Sequence, residues 1–253
     1  CSLDLSASVE VLRRRRIPIV AVEADALAGV IVVDLDNRDA SKRGAEHLRN
    51  LGHRHVATVT LALDADRTPG KLTPERERTA TGHTTRERLA GLREVFPNAP
   101  GWSTSGSVLA DGYAAGRQLL AGPPAERPTA IVAQSDLLAL GVLRAAEELG
   151  LEVPRDVSIL GFDGVRVDEA APYVLTTLVQ PGVKKGEAAA AAVFAALAGE
   201  QPDPVLLRCE RRVGAVGQVA DARVLERAHV HADLVGAAGL EVDLEQAGEA
   251  VRL

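Results

Sequence analysis

The sequence predicts an α/β protein built on parallel β-sheets, and three observations lead there. Short apolar runs alternate with longer amphipathic ones along most of the chain, the pattern of repeated strand–helix–strand units. Several of the longer runs open on a capping residue and stop at a glycine, as helices do. Asp36 or Asn37 precedes "RDASKRGAEHLRNL" and Gly52 follows it; Ser135 or Asp136 precedes "LLALGVLRAAEEL" and Gly150 follows it. Finally, 253 residues, 46% of them hydrophobic, suffice for one large domain or two lobes.

In chain order, a helix is predicted around Ser6 to Arg15, then the strands "IPIVAVEA" and "GVIVVDLD", then the capped helix ending at Gly52. "HVATVTL" reads as the next strand. From Ala62 to Gly82 the chain is polar, carries Pro69 and Pro74 and shows no clear period, so a long loop is expected. Helices follow over Thr84 to Phe96 and Asp111 to Leu120, with a short strand near Trp102 to Leu109 between them. "TAIVAQ" is a strand, followed by the helix that stops at Gly150. "VSILGF" and "LTTLVQ" are strands, Gly182 to Leu197 a helix, and "PVLLRC" a last strand. Beyond Val213 the helical period is weak, which fits one or two surface helices or an extension.

Composition excludes several classes. A net charge of −6 and a pI near 5.6 argue against wrapping a nucleic-acid backbone, which requires clustered cations. The one basic run, Arg13 to Arg16, falls at a predicted helix C-terminus, where cations suit the dipole. Mean hydropathy is +0.03, and the most apolar stretch, "GEAAAAAVFAALAG", is too short for a bilayer. Two cysteines, Cys1 and Cys209, are too few for a disulfide framework, and no signal peptide is evident, so a cytoplasmic setting is expected. With no methionine, the chain is expected to be a fragment or a processed product. Aromatics are 2% of residues, so a binding site must rely on hydrogen bonds and small aliphatic walls.

No glycine-rich nucleotide loop, G-x-S-x-G elbow or H-E-x-x-H pair is present. "HVHAD" (His229, His231, Asp233) has a metal-like spacing but sits in the weakly patterned tail, where solvent exposure is the simpler reading. "GHRH" (Gly52 to His55) reads as a connector. Nothing assembles a nucleophile, a base and an orienting acid, which weighs against an enzyme; no cofactor or metal is implied.

In "GLEVPRDVSILGFDG" a buried strand ends on Asp163, between Phe162 and Gly164. In open parallel sheets the loops at the carboxyl ends of strands line the ligand crevice, so this acid is a turn residue or a ligand contact. The segments "RRIPIVAVE", "VVDLDNRDASKRGAEHLRNLGHRHVATV", "TTRERLAGLREVF", "PTAIVAQSDLLALGVLRAAEELGLEVPRDVSILGFDG" and "PYVLTTLVQPGVKKGEAAAAAVFAALAGE" occur in that order. Together they resemble the effector-binding core of the lactose/galactose repressor (LacI/GalR) family of bacterial transcription regulators, over roughly Ser6 to Arg212. That core is similar in fold to type I periplasmic sugar-binding proteins. The resemblance departs at both ends. It lacks the family's opening strand–helix–strand–helix unit and its helix-turn-helix head, and the tail after Arg212 has no counterpart in the family.

The resemblance implies a ligand site. The acid of "GFD", Asp163, would accept hydrogen bonds from ligand hydroxyls, and the arginine before "LAG", Arg88, would supply a complementary fork of donors. Thr84, one turn earlier, would add a hydroxyl on the same face. Asp136 matches the family's acid before "ALG", yet an aspartate at a helix start is equally well a cap. Ser135 stands where the family often has Asn, and Ser107 where many members place an aromatic, which implies a site with less stacking. Arg88→Ala and Asp163→Asn are expected to weaken ligand binding with little loss of stability.

The implied architecture is α/β with two lobes of parallel sheet flanked by helices and joined by crossing strands. The expected lobes are residues 1–61 with 179–203, and 62–178 with 204–212, followed by an atypical tail, 213–253. The implied function is the ligand-sensing core of a LacI-type transcriptional regulator or repressor, with a sugar or related polyol in the interlobe cleft. Homodimerisation is expected, with operator DNA reached only through a head outside this chain and with no membrane involved. A solute-binding protein of a transport system is the alternative.

Overall fold

A computed structural model describes residues 6–15, 17–165 and 174–214. The chain begins with α1 (Ser6–Arg14), β1 (Val20–Val22), β2 (Ile31–Leu35), α2 (Asn37–Asn50), β3 (Val56–Thr60), β4 (Gly70–Lys71), α3 (Pro74–Arg78) and α4 (His83–Arg93). It continues through β5 (Gly101–Ser103), α5 (Leu109–Leu120), β6 (Ala130–Ala133), α6 (Asp136–Glu148), β7 (Ser158–Asp163), β8 (Thr176–Val179), α7 (Gly182–Leu197), β9 (Val205–Leu207) and β10 (Glu210–Arg212). The "HVHAD" residues and most of the tail lie outside the described residues.

The strands form two sheets. The smaller has the order β1-β2-β9, all parallel, with α7 packed on it. The larger has the order β10-β8-β7-β6-β3-β5-β4, parallel except for the two short edge strands β10 and β4. Its central strands are buried on both faces: every residue of β3 and β6 is buried, as expected of parallel strands covered by helices on either side. One face carries α5 and α6, with Leu138, Leu140, Leu143, Ile131 and Ile159 in its core. The other carries α2 and α4, with Leu48, Val56, Leu92 and Leu160.

The division between lobes differs from the sequence expectation. The chain first leaves the smaller sheet at Asp36, because α2 packs on α4 and β8 of the larger unit, and β3 pairs with β5 and β6 there. Conversely, Val205–Leu207 pairs with β2 of the smaller sheet, and the chain crosses back only before β10. Local patterns identified these strands correctly. Which sheet each joins is decided by long-range pairing, which leaves no mark on a single strand's periodicity. The segment 62–82 also holds two small elements. Thr73 caps α3 by accepting from the Arg76 amide, with Pro74 at the first turn, and β4 adds an antiparallel edge to β5. The strand expected near Trp102 to Leu109 is confined to Gly101–Ser103.

"GHRH" is a connector, as read, but His53 has a place in the core. Its ring is buried, with Nδ1 2.9 Å from Thr129 Oγ1 and Nε2 3.1 Å from Ser158 Oγ. Burial pushes its pKa down to about 4, so it is neutral in the native state.

Candidate functional site

The carboxyl ends of strands from both sheets come together where the lobes meet. Glu23 follows β1, Gln134 follows β6, Asp163 ends β7 and Gln180 follows β8. Arg88, on the second turn of α4, is the centre of this cluster. It is only 3% exposed. Its Nε donates to Asn37 Oδ1 at 2.8 Å and its Nη1 to the Gln134 carbonyl at 2.5 Å. Carboxylates flank it from both lobes, Asp163 Oδ1 at 3.5 Å and Glu23 Oε2 at 3.6 Å. The guanidinium carbon lies 3.5 Å from the centroid of the Phe162 ring, a cation–π stack that fixes its plane.

The two acids are balanced by a second cation. Lys185, at the start of α7, donates to Glu23 Oε1 at 2.6 Å and Gln180 Oε1 at 2.5 Å, while Gln180 Nε2 donates to Asp163 Oδ1 at 2.6 Å. Burial raises the Asp163 pKa while Arg88 and Gln180 pull it down; the net shift is upward. Burial likewise lowers that of Arg88, against the pull of Asp163 and Glu23. The Asn37 Nδ2 is buried and has no hydrogen-bond partner. The donor from Arg88 fixes which end of that amide is the oxygen, so the free group is a donor without an acceptor.

Backbone geometry marks the same place. Three described non-glycine residues have positive φ, and two of them are Glu23 at 53° and Asp163 at 114°. Such outliers carry a cost and collect where geometry serves a ligand or a switch. Thus Asp163 ends its strand in an unfavourable conformation that turns its carboxylate to Arg88 and Gln180.

The structure brings Arg88, Asp163 and Thr84 together, the last with its Oγ1 3.5 Å from Glu23 Oε2. Ser107 and Ser135 form a separate pair, the Ser107 hydroxyl donating to Ser135 Oγ at 2.7 Å. Ser135 is the cap of α6, accepting from the Leu138 amide at 3.2 Å, which resolves the choice between Ser135 and Asp136. Asp136 is fully buried. Its Oδ1 accepts from Thr177 Oγ1 at 2.6 Å and its Oδ2 from the Val165 amide at 2.9 Å, so it binds the ends of β7 and β8 together. Burial raises its pKa to about 6. Gly161 faces it: a Cβ there would lie 2.2 Å from Asp136 Oδ1. At the first crossing, neither Asp36 nor Asn37 caps α2 with its side chain. Asp36 instead accepts from the Cys209 amide at 2.7 Å and pairs with Arg43 at 2.9 Å, across two crossing segments.

Glu23, Asn37, Gln134, Gln180 and Lys185 were not anticipated. The rule that singled out Asp163 also marks Glu23, Gln134 and Gln180, each at the carboxyl end of a strand. Asn37 and Lys185 leave no such signal. A surface cavity of about 480 Å³ lies apart from this cluster, lined by Arg43, Lys184, Leu206 and Arg208 among others. Since Arg43 is already engaged by Asp36, Asp39 and the Cys209 carbonyl, it adds little to the polar chemistry of that cavity.

Residues 45–213 match the periplasmic binding protein-like domain family. The chain belongs to that family. Within it, this is an effector-binding core of the LacI type. It is similar to the HTH-type transcriptional regulator Rv3575c of Mycobacterium tuberculosis, with 34% identity over 191 residues, covering 72% of this chain and 52% of the relative. A solved LacI-family regulator from Corynebacterium glutamicum superposes with a TM-score of 0.75 at 27% identity, covering 87% of this chain and 66% of that one. A transcriptional regulator CelR–cellobiose complex superposes with a TM-score of 0.69 at 26% identity, covering 85% and 64%. The chain spans about half the length of the curated relatives it matches. No helix among the described residues of this LacI-type core is long and apolar enough to cross a membrane.

Proposed function

We propose that this chain senses a small polyhydroxylated effector, a sugar or related polyol, for a LacI-type regulator of the cytoplasm. Effector held between the lobes biases their closure, and a homodimer passes that change to DNA-binding heads outside this chain. The observation that carries the reading is the cluster of buried Arg88 with the partly buried Asp163, Glu23 and Lys185, with Thr84 and the free Asn37 donor beside it. Paired carboxylates and a fixed guanidinium suit vicinal hydroxyls, which both donate and accept. A transport solute-binding protein would share the fold, but the relatives are HTH-type regulators, which favours sensing. Their roles in transcription likewise support a binding module over an enzyme.

Phe194 and Leu197 on the outer face of α7 are 72% and 65% exposed, which supports the dimer. Titration calorimetry with a panel of mono- and disaccharides, cellobiose included, tests the effector reading. Saturable binding weakened roughly tenfold to a hundredfold by Asp163→Asn is expected, the loss of one charged hydrogen bond. Binding of a panel member with affinity unchanged in that variant would refute the assigned site.

A further inference from the structure

A second interlobe contact lies beside the Arg88 cluster and shares none of its ion pairs. His83 is the first residue of α4, in the larger lobe. Its Nδ1 lies 2.9 Å from Asp25 Oδ1 and its Nε2 3.0 Å from Asp34 Oδ2. Both acids belong to the smaller lobe, Asp25 just after β1 and Asp34 within β2. Each is held in place by another group. Arg86 Nη2 donates to Asp25 Oδ1 at 2.7 Å, and Asp34 Oδ1 accepts from the Leu35 amide at 2.8 Å. The charged groups facing the ring are therefore Asp25 and Asp34 from the smaller lobe and Arg86 from its own helix; Glu23 and Arg88 lie deeper in the cleft.

A neutral imidazole has one N–H and one lone pair. Set between two carboxylates, it would point that lone pair at an anion. Only the imidazolium donates at both ends, so the geometry by itself calls for the charged form. We propose that His83 is a positioning residue, an imidazolium latch that ties the α4 end of the larger lobe to Asp25 and Asp34 and holds the lobes in the arrangement seen here before any effector binds. The inference concerns closure and holds whichever molecule the cleft takes. Because α4 also carries Thr84 and Arg88, the latch sets the distance at which these face Glu23.

The electrostatics agree. The bond to Asp34 raises the His83 pKa most, burial opposes it, and the bond to Asp25 adds to the rise, to about 9. A histidine raised above its ordinary 6.5 contributes fully below that value, and its contribution is lost as pH climbs through about 9. The latch is thus shut at neutral pH and opens on the alkaline side.

Nitroxide labels at Glu187→Cys on α7 and Glu126→Cys before β6, in the 253-residue chain with Cys1→Ser, report the interlobe distance without ligand. At pH 7 a single short population is expected, giving way to a longer, broader one with a midpoint near pH 9. His83→Gln should show the longer population at pH 7 and little change from there to pH 10. Asp25→Asn acts at a half-exposed acid, and should shift the midpoint down and lengthen the distance at pH 7. Ring resonances of His83 should titrate well above 6.5. A His83 that titrates at or below 6.5, or a His83→Gln chain with the wild-type distance and pH course, would overturn the latch.

Discussion

The two lobes solve the same problem to very different degrees. In the larger, the central strands of a seven-stranded sheet are covered on both faces, and α6 alone buries Leu138, Leu140, Val142 and Leu143 completely. In the smaller, three strands carry α7, a 16-residue helix with one buried residue, Ala192. Val183, Phe194 and Leu197 on that helix and Leu206 on β9 remain mostly exposed. The larger lobe therefore has a core that sustains itself. Within this chain the smaller one leaves more apolar surface uncovered and is tied to its neighbour by polar groups where the lobes meet.

The strongest test of that contrast is at the tie itself. Arg88→Ala leaves Asp163 without its ion-pair partner and Glu23 with Lys185 alone, and removing one member of a buried ionic group costs about 3–5 kcal/mol. The sequence alone led to an expectation of little stability loss; the 3% exposure of Arg88 leads to this larger one instead. Denaturant unfolding should show the drop; an unchanged midpoint would mean the cluster is solvated. Within the larger lobe, Leu143→Ala should cost about 2–5 kcal/mol, because no part of that side chain is exposed and a cavity results.

Two histidines sharpen the comparison through opposite responses to pH. His53, neutral in the larger lobe's core, has a folded pKa near 4, below the ordinary 6.5. The unfolded chain takes up its proton first, so stability is full above 6.5 and falls as pH drops towards 4, by about 3 kcal/mol in total from this group. His53→Gln should flatten that limb of the pH–stability curve, although the curve as a whole also contains the carboxylates. His83, between the lobes, loses its contribution in the alkaline direction instead.

Much of this was legible in the sequence because it is local. The helix of "LLALGVLRAAEEL" begins and ends within a residue of its expected bounds, since cap, period and terminal glycine agree. Asp163 and Arg88 came as candidates from the resemblance, and the structure places them 3.5 Å apart. The lobe boundaries were not, because β3 and β9 are short apolar strands that fit either sheet. Nor was the role of Asp136: an aspartate at a helix start gives the same pattern whether it caps or, as here, reaches across to Thr177. Glu23 and Lys185 act through a contact between residues 162 positions apart, which no local window contains.

The smallest expected effect on stability separates the two lobes most cleanly. Phe194→Ser alters a side chain that is 72% exposed on α7, so unfolding of the isolated chain should move by no more than about 0.5 kcal/mol. Compared with Leu143→Ala, that is near silence from a larger side chain. The same substitution should nevertheless change assembly, because Val183, Phe194 and Leu197 are mostly exposed within this chain and gain by contact with another surface. Sedimentation velocity at micromolar concentration should show a dimer for the native chain and a shift towards monomer for Phe194→Ser with its unfolding midpoint intact. If both chains sediment as monomers, the exposed face is not a self-association surface and the dimer in the proposed mechanism falls. If the variant loses stability as a monomer, α7 is more deeply packed than its exposure shows, and the contrast between the lobes narrows.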